Sequence, residues 1–222
     1  MQSNFSEITQ VVCESGIKKV DFVLADLGLC SAQIADAELG LSFNTNMPLD
    51  MRIDKRIKTS AADIVNSADE KSLADLIFQY GEERASRRIA RFIVQERKSE
   101  PVRTTGRLAD IVCKALRKSG HGWSRIHPAT RTFQALRIAV NNELENLKSL
   151  LESVPALLNE NGRFAVISYH SLEDRLVKND FKDNEKSGIY KILTKKPIVP
   201  GDDEIESNRR ARSAKLRIAQ KI

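Results

Sequence analysis

Residues Val20 to Ala25 form a nearly continuous apolar run that is β-branched at its start. That is the pattern of a strand buried on both faces of a parallel sheet. The run ends in Asp26 and opens into a loop. Upstream, Phe5 to Gly16 is predicted as a short helix with Ile8, Val11 and Val12 on one side and Gly16 placed to end it. Downstream, "LGLSFNTNMPLDMRID" shows no clean period and mixes apolar anchors with turn residues, so it reads as irregular but ordered.

From about residue 60 to 120 the period is helical. Ser67 and Glu70 make an S-x-x-E capping signature, followed by Leu73, Leu76, Ile77 and Tyr80 at helical spacing, with Gly81 as punctuation. A second helix runs through "EERASRRIARFIVQER", burying Ala85, Ile89, Phe92 and Ile93 and stopped by Pro101. A third starts after Thr105, carries Leu108, Ile111, Val112, Ala115 and Leu116, and ends at Gly120. "HGWSRIHP" is a loop, and one long helix from about Ala129 carries Phe133, Leu136, Val140, Leu144 and Leu147. Asn159 to Gly162 is a turn and Phe164 to Ser168 a second buried strand. Ser171 is expected to cap a further helix with Asp174 three residues on. Ile189 to Thr194 and Leu216 to Gln220 alternate as two strands, expected to be antiparallel neighbours. The order is that of the second half of an α/β sheet with a helical insertion after its first visible strand.

Composition narrows the class. The chain has 222 residues, enough for a sizeable core. It has no apolar run of membrane-spanning length and no secretory signal pattern, so the expectation is a cytoplasmic protein with no membrane contact. Cys13, Cys30 and Cys113 are odd in number and widely spaced, which argues against a disulfide framework and against a zinc site. The net charge is +6 and uneven. No acidic residue occurs from Ile111 to Asn142, a window holding Lys114, Arg117, Lys118, Arg125, Arg131 and Arg137. A second basic cluster is Arg209, Arg210, Arg212, Lys215 and Arg217. Such clusters either bind nucleic acid or solvate helix faces.

The candidate chemistry sits at strand ends. No GxSxG, HExxH, P-loop or GxGxxG occurs. Asp26 either accepts a hydrogen bond from a ligand amine or hydroxyl or caps the following turn. His170, between a strand and a helix, either meets a polar ligand or phosphate or ties the loop to backbone. His127 and Arg131 lie in the acid-free window, as RNA contacts or as ordinary loop and helix residues. Arg84, Arg87, Arg88 and Arg91 either bind phosphates or pair with Glu82, Glu83 and Glu96. Cys30 lacks an electropositive neighbour in sequence and is a weak candidate nucleophile.

Seven blocks in one order carry a resemblance. They are "DLGLCSAQ", "FNTNMPLDMRID", "YGEERASRRIAR", "HPATRTFQALRIAVNNELE", "ISYHSLEDRLVK", "LTKKPI" and "NRRARSAKLRIA". Together they resemble the MraW/RsmH family, bacterial 16S rRNA (cytosine-N4)-methyltransferases that use S-adenosylmethionine. The resemblance implies an α/β, Rossmann-like methyltransferase sheet with an inserted helical domain, and 16S rRNA of the small ribosomal subunit as partner. It divides the chain into a partial methyltransferase domain at 1–37, an inserted RNA-recognition domain at 38–126 and the remaining methyltransferase domain at 127–222. It implies cofactor contacts at Phe5, near the adenine, at Asp26 and at Gln33. Arg84, His127, Arg131 and His170 become the expected RNA contacts, and no catalytic proton acceptor is assigned.

Two small departures stand out. The loop reads "GLCSAQ" where the family has "GVSSPQ", and Arg209 replaces a proline. The larger one is at the start. The family's first strand, glycine-rich loop and acidic second-strand end have no counterpart here, so the sheet is expected to lack its first strands. The chain alone is then expected to bind cofactor weakly or not at all, and to expose a sheet edge prone to aggregation. A non-catalytic RNA-binding remnant is the alternative.

Overall fold

The computed structural model describes residues 3–36, 38–43, 45–117 and 127–222. A 3-10 turn, Phe5–Glu7, leads into α1 (Ile8–Glu14) and β1 (Val20–Asp26). Six helices follow: α2 (Ser31–Ala35), α3 (Ala61–Ser67), α4 (Glu70–Gly81), α5 (Ser86–Glu96), α6 (Thr105–Arg117) and α7 (Thr130–Asn141). Then come α8 (Glu143–Leu157), β2 (Leu158–Ser168), α9 (Ser171–Lys186), β3 (Tyr190–Ile192), α10 (Asp202–Ser207), a second 3-10 turn (Arg209–Ser213) and β4 (Lys215–Lys221). Lys118, Arg125, Gly120 as the expected helix end, and most of the "HGWSRIHP" loop lie outside the described residues.

The chain forms two compact units, Met1–Gly28 with Leu144–Ile222, and Leu29–Glu143. These divisions differ from 37 and 126: α7, grouped by sequence with the sheet, packs on α4 within the helical unit.

In the first unit a four-stranded sheet has the order β1-β2-β4-β3. β1 and β2 are parallel, with Asp26 opposite Ile167, whereas β4 runs antiparallel to both β2 and β3. The predicted antiparallel pair at the C-terminus is therefore present. Val23, Phe164, Val166, Val177, Phe181 and Tyr190 are buried together with Leu150 and Val154. Phe181 meets Phe164 and Tyr190 edge-on, at centroid distances of 5.6 and 5.8 Å, the arrangement aromatic quadrupoles favour.

Two expectations need correction here. β1 is not buried on both faces: Phe22 and Leu24 are each 55% exposed, and Val23 alone of its residues is buried. The reason is position, because β1 ends the strand order among the described residues. The turn at Asn159–Gly162 lies inside β2 as an irregularity: Val20 pairs with Leu158 but Phe22 already pairs with Arg163. Asn161 takes φ 64°, and Asn159 donates to the Asp21 carboxylate at 2.7 Å. Asparagine tolerates this left-handed conformation better than most residues.

In the second unit Leu73, Ile77, Ile89, Ile93, Leu108, Ile111, Val112 and Leu136 form the core. α5 packs against α4 and α6. The irregular segment after α2 is ordered by long-range bonds. Leu49 N–H donates to the Arg103 carbonyl at 2.9 Å, and Thr105 N–H to the Met47 carbonyl at 2.9 Å. Asn141 completes the tie, donating to the Met51 carbonyl at 2.8 Å while accepting from Ile53 N–H at 2.9 Å.

The capping expectations shift by one or two residues. Ser67 is the last residue of α3 and bonds the Asp63 carbonyl, so it does not open α4. Asp69 caps α4 by accepting from Ser72 N–H at 2.9 Å, and Ser60 with Asp63 makes the box of α3. Gly81 ends α4, but the left-handed residue is Glu82, at φ 49°. The glycine serves close approach: a β-carbon there would stand 2.6 Å from the Arg131 carbonyl oxygen. The single long helix is two helices, broken where Asn142 adopts φ 50°.

Candidate functional site

The carboxyl ends of β1 and β2 are adjacent because the strands are parallel and in register to Asp26–Ile167. Leu27 N–H continues the ladder to the Ile167 carbonyl at 2.9 Å. In an open α/β sheet this end is where ligands bind. Asp26 is exposed there, and one carboxylate oxygen accepts from the Tyr169 hydroxyl at 2.9 Å. Among the described residues its second oxygen has no protein partner, so it fits a ligand amine or hydroxyl. Burial, and then the bond to Asp26, push the Tyr169 hydroxyl up to about 12. Tyr169 therefore remains a donor throughout the physiological range. Gly28, at φ +123°, makes room for this ring: a β-carbon would lie 2.9 Å from Tyr169 Cδ2. Sequence reasoning missed Tyr169. The signal available was its place one residue past the end of β2.

His170 is the N-cap of α9, correcting Ser171. Its Nδ1 accepts from Glu173 N–H at 3.4 Å, and Glu173 accepts from Tyr169 N–H at 2.9 Å and His170 N–H at 3.3 Å. Glu173 is 4% exposed, which places a carboxylate where the helix dipole favours it. Asp174, the expected box partner, instead pairs with Arg217 at 2.7 Å and Lys215 at 3.3 Å. Burial opposes its charge, but these two cations outweigh it and hold the carboxyl below its ordinary range. So two basic residues of the C-terminal cluster are committed to structure.

The remaining expected cofactor residues are Phe5 and Gln33. Phe5 presents a ring that is 41% exposed at the start of the chain. Gln33, on α2, uses its amide oxygen to accept from Cys30 N–H at 3.0 Å, while Cys30 sulfur accepts from Gln33 N–H at 3.4 Å. Gln33 can thus offer a ligand its amide N–H donors. The structure leaves Cys30 as a capping residue.

In the helical unit the acid-free window is acid-free in sequence only. Arg137 forms a two-pronged pair with Glu143 at 2.8 and 2.9 Å, Lys114 lies 3.8 Å from Glu96, and Arg131 lies 3.7 Å from the buried Glu83. His127 stacks on Phe43 at 4.5 Å and accepts from Ala129 N–H at 3.2 Å. Arg84 is exposed.

The mixed sheet, its order and the acceptor at the end of its parallel pair make this an α/β protein consistent with the Rossmann-like methyltransferase class. Comparison with known proteins gives the particular family. The profile of the MraW methylase family matches residues 1–222, and the chain belongs to that family of S-adenosylmethionine-dependent methyltransferases. A protein of Cyanothece sp. named "Ribosomal RNA small subunit methyltransferase H" is 52% identical over 221 residues, covering 100% of this chain and 70% of the relative. Proteins of the same name from Koribacter versatilis and Brevibacillus brevis are 49% and 44% identical. They cover 99% and 100% of this chain, and the matches span 68% and 75% of their own lengths. Among the described residues no helix is long and apolar enough to cross a membrane.

Proposed function

We propose that this chain methylates the N4 amine of a cytidine in 16S rRNA of the small ribosomal subunit, acting in the cytoplasm. The observation that carries this is the Asp26 carboxylate, held by Tyr169 at the ligand end of the parallel strand pair in a chain matched by the family from end to end. S-adenosylmethionine supplies an activated methyl group when bound. Asp26 would accept from a cofactor amine or hydroxyl, Gln33 would donate an amide N–H, and Phe5 would cover the adenine with its exposed ring. The cytosine amine is a poor nucleophile because its lone pair is conjugated into the ring, so alignment is the larger part of the task. The target base also has to be held out of its stack.

The helical unit is then the RNA-recognition part. Arg84 is an exposed cation there; Arg131 enters with Glu83 already beside it, and His127 already stacked on Phe43 and bonded to Ala129 N–H. His170 contributes through the turn it caps.

The test is methyl transfer to small subunits isolated from cells lacking this modification, at saturating S-adenosylmethionine, read by nucleoside mass spectrometry. The expected product is N4-methylcytidine at one position, lost in Asp26→Ala. Methyl transfer to another atom would contradict the proposal. RNA binding without methylation at any cofactor concentration would establish the non-catalytic RNA-binding remnant instead.

A further inference from the structure

α5 carries an open surface depression of about 590 Å³ lined by Arg87, Arg88, Arg91, Phe92 and Gln95. Its opposite face, with Ile89, Ala90 and Ile93, is buried in the helical core. The arginines are therefore fixed to a rigid element and turned outward. Their spacing is locally unfavourable. Arg87 and Arg91 are four residues apart and Arg88 and Arg91 three, so like charges stand on neighbouring turns. Arg87 and Arg88 also occupy the first turn of α5, which has no acidic residue, at the positive end of the helix.

Among the described residues a carboxylate relieves this only at Arg91. Glu83 faces Arg131, and Glu96 takes Arg107 at 2.6 Å and Lys114 at 3.8 Å. Glu70 reaches Arg91 at 3.6 Å, between side chains that are 45% and 63% exposed respectively. Arg87 and Arg88 have no carboxylate partner among the described residues. In the other basic clusters Lys114, Arg131, Arg137, Lys215 and Arg217 do find carboxylates. A concentration of positive charge that breaks local helix rules without internal compensation marks a site whose partner is external.

We propose that this α5 depression binds the phosphate backbone of the RNA substrate, with Arg87, Arg88 and Arg91 as phosphate contacts and the Phe92 ring as an apolar floor. The inference rests on the chain being an rRNA methyltransferase, and it adds the surface by which the substrate is held. Guanidinium groups meet phosphate in two-pronged geometry and remain charged at any working pH. Each phosphate contact releases condensed counterions, which gives the site a measurable signature.

The experiment measures affinity of the full chain for a small-subunit rRNA transcript across a range of salt concentrations. It compares wild type, Arg87→Gln/Arg88→Gln/Arg91→Gln, the same three positions as lysine, and a control Lys178→Gln/Lys182→Gln/Lys186→Gln on α9. With about 0.7 per phosphate contact on single strands, losing three contacts lowers the slope of log affinity against log salt by about two. The lysine variant keeps the wild-type slope, and the α9 control leaves it unchanged. An unchanged slope in the glutamine variant would overturn the proposal, as would an equal drop in the α9 control. Salt-dependent binding to anionic vesicles in place of RNA, lost in the glutamine variant, would overturn it too. Absence of any salt-dependent RNA affinity in wild type would overturn both this proposal and the rRNA reading beneath it.

Discussion

Replacing Tyr169 by phenylalanine removes one hydroxyl from the ligand end of the sheet and leaves the ring packed over Gly28. The lost bond is 2.9 Å long and its acceptor is the Asp26 carboxylate. A hydrogen bond to a charged group contributes about 1.5–3 kcal/mol when well buried. Asp26 is exposed, so solvent screening reduces the expected coupling to about 1 kcal/mol. A double-mutant cycle isolates it: chemical denaturation of wild type, Tyr169→Phe, Asp26→Asn and the double variant. The two single losses should exceed the double loss by about 1 kcal/mol. The same hydroxyl orients the carboxylate toward its ligand, so Tyr169→Phe should also weaken S-adenosylmethionine binding about fivefold, the equivalent of about 1 kcal/mol. The sign with pH follows from the raised hydroxyl: its contribution is full below about pH 10 and is lost as pH climbs to about 12. Additive losses within about 0.3 kcal/mol would refute the coupling.

Burial, with repulsion from Asp183 and Glu152, raises the Asp180 carboxyl from 3.8 to about 6 despite a bond from Asn184. The folded state therefore favours the protonated acid, and stability falls as pH rises from 3.8 to about 6 and stays low above it. The full difference is about 3 kcal/mol at about 1.36 kcal/mol per pH unit, and partial solvation reduces it to about 1–2 kcal/mol. Asp180→Asn should accordingly stabilise the chain at neutral pH and not below pH 3.8, measured by urea unfolding at both; equal stability at neutral pH would contradict this. Gly81→Ala places a β-carbon 2.6 Å from the Arg131 carbonyl oxygen, and should cost about 1–3 kcal/mol in spite of the better helix former. A raised melting temperature would refute that. Asn141→Leu leaves the Met51 carbonyl and Ile53 N–H without their side-chain partner, a loss of about 1–3 kcal/mol. Hydrogen exchange at Ile53 should accelerate with it, and unchanged exchange would count against the tie.

Periodicity located β1, β2 and the helices from α4 to α6 because each buries a face in its own unit. It failed where local backbone choices cut across the period. Leu144 and Leu147 continue the spacing of Phe133 and Leu136, so the break at Asn142 left no mark in the hydrophobic pattern. Its signal was the Asn141–Asn142 pair, a residue type that accepts a left-handed φ. Caps slipped for a related reason: Ser67 and Asp69 both qualify as helix starters, and the choice depends on where α3 ends. The site was half legible. Asp26 announced itself as a polar residue closing an apolar run, but Tyr169 is 143 positions away from it and only the parallel register joins them. Charge was the least reliable guide, since Arg137, Arg131 and Lys114 sit in an acid-free stretch yet find carboxylates in space.

The most direct test of the cofactor site is ultraviolet cross-linking of radiolabelled S-adenosylmethionine, followed by peptide mapping. The account predicts label in the peptides containing Phe5 and Asp26 to Gln33, reduced in Asp26→Ala. Label confined to α5 or α9, unaffected by Asp26→Ala, would contradict it.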